Sequence, residues 1–512
     1  MARKCVSLGN PGISGLPPGG EAIVDLYAGV TAPPSPENNL SYFSDTDTGW
    51  VRLFAEWDFL WPSPPTTTTT TLPNGQPDPA HYRWVSPAPD QATLLRLDVN
   101  IALAKASGLG VILTTIGCPS WLNGSTNKFV FPPDSALGPA SSKPPNGSQF
   151  EPTDFMYNLW AHYLMFRYHP GNAAILNHPV INGQRCWIDS FELVNEPDVQ
   201  GQPHLPTPST GLGKQQSRVR TTTLMMASAQ TIKNELNKKY TPKIAVLGPA
   251  TAQPPPVGGS PTDFTTLLIA SLKKPITFAG ASKSYSFNPK DAQFGWSQHN
   301  YGDVEHVANM LGTFPPAVLV GILQLQHPEF FFSLFYGGGT QRVRNLLRSG
   351  GTTTAVTAGT SWWQGAKSAS DPNPGLWLSE GGCRLDNVVV FPGTRYPRTA
   401  TGALVDPSTN YSTNPPSDPV PGFKQLQGWA IAGAANGLAR NGGGQPGEGV
   451  EMFTNFLFYD EPPSPIPGKG GNFSGLCDEY GPDQQPPQTE TSAQQERPAF
   501  GDWTLFGTGI VR

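Results

Sequence analysis

Short apolar runs bounded by turn residues alternate with longer helix-like stripes along most of this chain. The runs predict buried strands at residues 22–30, 51–55, 110–116, 187–195, 243–248, 293–299, 375–379 and 450–458. Most neighbouring strands are separated by a predicted helix. Eight βα units in sequence predict an α/β fold, the (β/α)8 or TIM barrel.

The predicted helices are recognised by apolar residues that recur at spacings of three and four. Leu94, Leu97, Ile101 and Ala104 form one such stripe, and the helix that contains them ends near Gly108. The same reasoning predicts helices over residues 155–166, 222–239, 264–272, 341–347 and 423–434.

Glycine and proline are unusually frequent, with 56 residues of each among 512. Their combined share is roughly twice that of an average protein. They concentrate in long stretches that mostly follow predicted strands, at residues 62–90, 117–152, 197–213, 302–328, 381–421 and 460–497. Segments that follow the strands of a barrel lie on its C-terminal face, where active sites are built. The sequence therefore predicts long Pro/Gly-rich loops that wall a deep cleft on that face.

The domain organisation follows from the same pattern. We expect one catalytic domain over residues 22–512, with long βα-loop insertions, preceded by an N-terminal extension over residues 1–21. The alternative is that some of the long stretches are separate modules or linkers. Residues 62–79, with six threonines at 66–71, are the best linker candidate, but they lie inside a βα unit, which favours a loop.

Charge and hydropathy disfavour several classes of protein. The formal net charge is −5 with no long run of one sign, so we expect no nucleic-acid partner. No apolar run reaches membrane-spanning length, and the first residues are not a secretory signal as written. Removal of a leader would give the same sequence, so the compartment stays open, as does the oligomeric state. The 5 cysteines contain no C-x-x-C pair, and a cysteine-built metal site is not expected.

Two glutamates stand at the ends of the fourth and seventh predicted strands. Asn195 and Glu196 end the fourth strand where Pro197 stops it, and Glu380 ends the seventh strand before two glycines. The two carboxyl groups should face each other across the barrel mouth, and such a pair is the machinery of glycosidic bond cleavage. A metal-dependent hydrolase is disfavoured, because no H-x-H or H-E-x-x-H spacing occurs among the 8 histidines.

These residues resemble glycoside hydrolase clan A, whose members are retaining glycosidases on a (β/α)8 barrel. The likeness covers about residues 22 to 460 and is greatest to the cellulase-like and xylosidase/iduronidase/heparanase-like branches. The matching motifs occur in the expected strand order, as Val51-Arg52-Leu53-Phe54, Pro119-Ser120-Trp121, Asn195-Glu196-Pro197, His299-Asn300-Tyr301 and Ser379-Glu380-Gly381.

The resemblance implies a role for each matching side chain. Glu196 would be the general acid/base and Glu380 the nucleophile of a double-displacement reaction. Asn195 would bind the sugar 2-hydroxyl, and His299 would lie near the acid/base. Tyr301 and Arg52 would hold the nucleophile ionised. The substrate would be an oligo- or polysaccharide with O-glycosidic bonds, and no cofactor or metal is implied.

The chain departs from the family pattern at positions where relatives often carry tryptophan. Val194 stands two positions before the acid, and the eighth strand contains Phe453, Phe456 and Phe458. Sugar stacking is therefore expected from loop tryptophans. Trp121 and Trp57 are the preferred candidates, followed by Trp61, Trp362 and Trp363.

Two further inferences concern Glu192 and the alternative function. Glu192 has the same strand parity as Glu196, so it should point inward and orient its neighbours by hydrogen bonds. The alternative to an enzyme is a catalytically inactive carbohydrate-binding or structural barrel in a surface assembly. The intact pair of Glu196 and Glu380 favours the enzyme, since a binding protein needs neither.

Overall fold

The structure of the chain is a computed structural model. It describes residues 3–7, 48–63, 66–67, 84–86, 90–123, 126, 128, 156–171, 179–181, 183–199, 211–257, 260–277, 284–315, 318, 338–351, 361–363, 375–384, 389–390, 394–395, 423–439 and 450–456. Most of the Pro/Gly-rich stretches, and the predicted first strand at 22–30, lie outside the described residues.

Within the described residues, eight parallel strands form an α/β barrel. They are β1 (Arg3–Ser7), β2 (Trp50–Glu56), β3 (Gly110–Ile116), β4 (Ser190–Val194), β5 (Ala245–Thr251), β6 (Phe294–His299), β7 (Leu376–Glu380) and β8 (Met452–Phe456). Consecutive strands are hydrogen-bonded neighbours, and β1 also pairs with β8. The strands β2 to β8 agree with the sequence prediction to within three residues at each end.

The first strand differs from the prediction. It lies at Arg3–Ser7, inside the range that the sequence predicts to be an N-terminal extension. Cys5 is fully buried inside the barrel, where a thiol packs as a small apolar group. Arg3 and Lys4 interrupt the apolar pattern, so a search for apolar runs passes over this strand.

The helices follow the strands in chain order. They are α1 (Trp57–Leu60), α2 (Gln91–Ala106), α3 (Ser120–Asn123), α4 (Met156–Arg167), α5 (Gly211–Lys239), α6 (Phe264–Leu272), α7 (Tyr301–Gly312), α8 (Gly339–Ser349) and α9 (Phe423–Ala439). Asp90 and Asp263 cap α2 and α6 by accepting hydrogen bonds from backbone N–H groups in the first turns. Among the described residues, no helix has the length and apolarity needed to cross a membrane.

Helix α7 corrects a second prediction, because the sequence analysis places residues 302–328 in a loop. Val304, Val307, Ala308 and Leu311 are buried along one face of the helix at spacings of three and four. The helix begins directly after β6 and therefore carries Tyr301 beside the end of that strand.

The barrel has an apolar interior at one end and a larger apolar core around it. Ile112, Leu247, Trp377 and Met452 pack with Cys5 inside the barrel, near the beginnings of their strands. Strand residues of the other parity pack outward against the helices. Apolar groups thus fill the N-terminal part of the barrel, and polar side chains occupy the C-terminal strand ends.

Candidate active site

A fully buried arginine joins three strand ends. Arg52 on β2 donates from Nε to Glu192 Oε2 at 2.7 Å, from Nη1 to Glu380 Oε2 at 2.6 Å and from Nη2 to Asn195 Oδ1 at 2.7 Å. Hydrogen bonds between charged groups are stronger than neutral ones, and a low dielectric strengthens them further. Arg52 therefore holds the ends of β2, β4 and β7 in a defined arrangement.

Glu192 is the permanent counter-charge of Arg52. Its Oε2 also accepts a hydrogen bond from Thr114 Oγ1 at 2.8 Å. Burial is the largest single influence and by itself would raise the pKa of Glu192, but the charge of Arg52, the interaction with His299 and the hydrogen bonds to the carboxylate together outweigh it, and the pKa lies below its ordinary value. Glu192 is thus buried and hydrogen-bonded, as the sequence predicts, and its orienting role stays a prediction.

Glu380 receives a hydrogen bond on each carboxylate oxygen. Arg52 bonds to Oε2, and the Tyr301 hydroxyl donates to Oε1 at 2.9 Å. Burial raises the pKa of Tyr301 well above its ordinary value, so the phenol keeps its proton and stays a donor. One charged and one neutral donor stabilise negative charge on Glu380, whose side chain is 8% exposed.

Glu196 lies in surroundings that favour its neutral form. Burial raises the pKa of Glu196 to about 7, although the charges of Arg52 and Arg384 act in the opposite direction. Glu196 Oε1 lies 2.8 Å from Nδ1 of His299. Burial lowers the pKa of His299, which makes the imidazole neutral at neutral pH. Glu196 can therefore hold a proton near neutral pH, while Glu380 beside it accepts hydrogen bonds from Arg52 and Tyr301.

The two carboxyl groups approach each other closely. One oxygen of Glu196, one oxygen of Glu380 and one ring nitrogen of His299 all lie within 4.8 Å of one another. The nearest oxygens of the two carboxyl groups are therefore closer than the roughly 6.5–9.5 Å between the carboxyl groups of inverting glycosidases; in retaining glycosidases the groups are roughly 5–5.5 Å apart. The same three side chains could ligate a metal ion, but the Arg52 guanidinium already supplies positive charge there and would repel a cation.

The backbone is irregular where the site residues leave the barrel. Register shifts interrupt the pairing of β3 with β4, of β5 with β6 and of β6 with β7. Such bulges occur at barrel rims and next to active sites, where they re-aim side chains. Glu196 itself has a φ of 46°, a left-handed conformation that is uncommon outside glycine.

Phe54, Ile116 and Tyr301 form an apolar wall beside the carboxyl pair, and the sequence analysis did not identify Phe54 as a site residue. Phe54 packs with Ile116 and Tyr301, and its ring centroid lies 4.7 Å from Cζ of Arg52. Phe54 has the same strand parity as Arg52, and this parity would have identified it as inward-facing. The C–H faces of a sugar ring are apolar, so such a wall suits a carbohydrate.

The sequence analysis also missed Glu56, which lies two residues after Phe54 on β2. Glu56 is buried, and its Oε2 accepts a hydrogen bond from Lys128 Nζ at 3.0 Å. Burial raises the pKa of Glu56 to about 7 despite the charge of Lys128. The parity shared with Arg52 and Phe54 was again the available signal.

The two tryptophans predicted to bind substrate differ in their surroundings. Trp121 in α3 is half-buried, and its indole N–H donates to the backbone oxygen of Trp61 at 2.8 Å. Trp57 is 1% exposed and stacks on Trp160 with ring centroids 5.8 Å apart, so in the structure it packs in the core and does not offer a ring face at the barrel mouth as the sequence predicts. Trp57 follows the inward-facing Glu56 and turns to the other side, into the outer core. Trp61 and Trp363 are buried as well.

No protein-family model and no curated protein matches the chain. Among solved structures it is similar to glycoside hydrolases. A glucosidase from Croceicoccus marinus shares 13% identity, with 100% of this chain and 71% of that chain covered and a TM-score of 0.41. A GH5-4 broad-specificity endoglucanase from Clostridium longisporum shares 12% identity, with 100% and 97% covered and a TM-score of 0.42. A family 39 glycoside hydrolase from Bacteroides cellulosilyticus shares 9% identity, with 99% and 63% covered and a TM-score of 0.42. Identities and TM-scores this low do not show the activity of this chain, so the evidence for an activity is the geometry of the site.

Proposed function

We propose that this protein is a retaining glycoside hydrolase that cleaves O-glycosidic bonds of an oligo- or polysaccharide on a single (β/α)8 catalytic domain. The observation that carries the proposal is the carboxyl pair: oxygens of Glu196 and Glu380 lie within 4.8 Å of each other, with Glu196 against His299 and Glu380 bonded to Arg52 and Tyr301. Glu196 is the general acid/base and Glu380 is the nucleophile. Paired groups whose surroundings separate their protonation states are typical of acid/base catalysis.

In the first step Glu380 attacks the anomeric carbon of the sugar as a carboxylate. The bond between that carbon and the glycosidic oxygen breaks, and the proton on Glu196 moves to the departing oxygen. A neutral His299 that donates its Nδ1–H to Glu196 Oε1 leaves Oε2 to carry this proton. Arg52 orients the Asn195 amide through Oδ1, so that its N–H₂ group is available to the sugar 2-hydroxyl.

In the second step water attacks the anomeric carbon of the glycosyl-enzyme. Glu196, now a carboxylate, takes a proton from that water, and the ester bond to Glu380 breaks. Arg52 and Tyr301 then receive the released carboxylate in the geometry it had at the start. The product keeps the anomeric configuration of the substrate because two inversions have taken place.

The test is kinetic and uses a panel of polysaccharides and aryl glycosides. Wild type should release a sugar of retained configuration, measured by ¹H NMR of the first product. Glu196→Ala should lose about 10²–10⁴-fold on natural glycans but keep turnover of dinitrophenyl glycosides, with azide restoring the second step. Glu380→Ala should be inactive on both substrate classes, because no covalent intermediate forms.

Glu235→Gln is the matched control, since Glu235 lies on α5 and pairs with Lys238 at the protein surface. It should behave as wild type. Full activity of either active-site variant would refute the role assigned to that residue. Carbohydrate binding without hydrolysis by wild type would instead establish the alternative, a catalytically inactive carbohydrate-binding barrel.

A further inference from the structure

Asp198, two residues after Glu196, links the segments that follow β4 and β5. Its Oδ1 accepts a hydrogen bond from the backbone N–H of Ala252 at 2.8 Å, and its Oδ2 accepts one from Gln253 at 2.9 Å. The Arg218 side chain on α5 donates to the backbone oxygen of Asp198 at 2.9 Å. Helix α5 thus fixes the backbone of Asp198, and the Asp198 carboxylate fixes the backbone that follows β5.

Two residues in the left-handed region lie at this link, Glu196 just after β4 and Ala250 near the end of β5. Glu196 has a φ of 46° and Ala250 a φ of 53°. The Glu196 N–H donates to Ala250 O at 3.0 Å, and the Ala250 N–H donates to Ser297 Oγ at 2.9 Å. Left-handed φ values cost free energy in residues other than glycine, so they persist only where the surroundings impose them.

The hydrogen bonds of Asp198 join residues that come after both left-handed residues in sequence. Asp198 comes two positions after Glu196, and Ala252 comes two positions after Ala250. The Glu196–Ala250 bond and the Asp198–Ala252 bond therefore close a small ring that contains the Asp198 side chain and the backbone on both sides. Without the second bond, Glu196 could relax to an ordinary φ, and its side chain would turn with it.

Charge adds to the geometric coupling. Burial raises the pKa of Asp198 to about 6, and the negative charge of Glu196 acts in the same direction. Arg218 and His299 are further titratable groups that act electrostatically with Asp198. Because charge interactions are mutual, an ionised Asp198 also disfavours the ionised form of Glu196.

We propose that Asp198 is a positioning residue for Glu196: its carboxylate locks the junction after β4 and β5 and so keeps the Glu196 carboxyl against His299 and opposite Glu380. This inference rests on the proposed function for its kinetic consequence, since it acts through the proposed acid/base. The backbone and carboxyl geometry can be tested without activity.

The variant is Asp198→Asn, in which one backbone N–H would face an amide N–H₂ group instead of an oxygen. The matched control is Asp189→Asn. Asp189 precedes the same strand at its opposite end, where its Oδ2 accepts a hydrogen bond from the backbone N–H of Val111 at 2.8 Å. Both variants remove one charged acceptor of backbone N–H groups next to β4, but only Asp198 is connected to Glu196.

The kinetic readout is kcat/KM on aryl glycosides whose leaving groups differ in acidity. Asp198→Asn should lose about 10- to 100-fold on poor leaving groups, as expected for a misplaced acid, and about threefold or less on dinitrophenyl glycosides. The basic limb of its pH profile should move to lower pH. Asp189→Asn should change all substrates equally and leave the profile in place.

The second readout is the titration of the Glu196 carboxyl carbon by ¹³C NMR, with Glu196→Gln used to assign the signal. Its midpoint should fall in Asp198→Asn and stay unchanged in Asp189→Asn. If wild type hydrolyses glycosides and the two variants behave alike in both readouts, the positioning role is overturned and the proposed function stands. If wild type hydrolyses nothing, the proposed function fails, and an unshifted titration in Asp198→Asn would overturn the coupling of Asp198 to Glu196 as well.

Should Asp198→Asn not fold, Arg218→Met decides the question. This variant loosens the backbone of Asp198 from α5 while leaving its carboxylate in place. The same dependence on leaving-group acidity, at a smaller amplitude, supports the role. A uniform loss on all aryl glycosides overturns it.

Discussion

Replacing Arg52 with methionine removes the guanidinium that bonds Glu192, Glu380 and Asn195 and keeps an unbranched side chain in its place. In wild type the pKa of Glu192 lies below its ordinary value, so its stabilising contribution is present above that value and is lost as the pH falls. In the variant, burial is no longer opposed by Arg52 and should raise the pKa of Glu192. The sign then reverses, and stability is lost as the pH rises.

The size of this effect follows from the ordinary pKa of 4.5 for the Glu192 carboxyl. Holding such a group protonated at pH 7 costs about 3 kcal/mol, since one pKa unit corresponds to about 1.4 kcal/mol. The loss of hydrogen bonds adds about 1–2 kcal/mol at any pH. We therefore expect Arg52→Met to lower the free energy of unfolding by about 1–2 kcal/mol at pH 4.5 and by about 4–5 kcal/mol at pH 7.

Urea unfolding of wild type and variant, followed by tryptophan fluorescence between pH 4.5 and pH 7.5, measures both values. Ile112→Ala is the control, because Ile112 is fully buried in the apolar interior of the same barrel. It should lose about 2–5 kcal/mol at every pH. A loss in Arg52→Met that is equally independent of pH would refute the reasoning, since it would mean that Arg52 contributes packing and not charge balance.

Two further predictions concern Glu196 and the tryptophans. Burial raises the pKa of Glu196 from 4.5 to about 7, so the stabilising contribution of Glu196 is present below pH 4.5 and is lost as the pH rises through 7. In urea unfolding, Glu196→Gln should therefore match wild type near pH 4.5 and be more stable than wild type by about 3 kcal/mol at pH 8. Equal stability of the two proteins at both pH values would contradict the burial of Glu196. Trp57→Ala should lower the free energy of unfolding by about 3–5 kcal/mol without changing KM. Trp121→Ala should weaken glycan binding measured by calorimetry. If Trp121→Ala changes neither binding nor turnover, Trp121 is a packing residue.

Much of the fold could be predicted from residue patterns because strands and helices leave different periodicities. The strand at Gly110–Ile116 and the helix at Phe264–Leu272 have the predicted limits. The strand at Arg3–Ser7 left no comparable pattern, since it begins with two cations and ends with a serine, which leaves only Cys5 and Val6 as apolar residues. Its place in the barrel depends on hydrogen bonds to β2 and β8, which are remote in sequence.

Part of the candidate site was predictable for a similar local reason. Glu196 and Glu380 stand at strand ends, and strand ends in a parallel barrel meet at one face whatever the loops do. Arg52 was identified with them, but its simultaneous bonds to Glu192, Glu380 and Asn195 depend on the relative heights of β2, β4 and β7. Those heights are a property of strand register and of the bulges near the rim.

The order of residues along the chain was thus sufficient for seven of the eight barrel strands and for the glutamate at the end of each of two strands, because these depend on local periodicity. The direction of Trp57, the place of Phe54 beside Arg52 and the link from Asp198 to Ala252 were decided by packing between distant segments. So was the difference between Glu196, whose pKa is raised by burial, and Glu192, whose pKa lies below its ordinary value beside Arg52. Burial and the approach of a charge set the protonation of a carboxyl group, and both arise only when segments far apart in sequence are brought together.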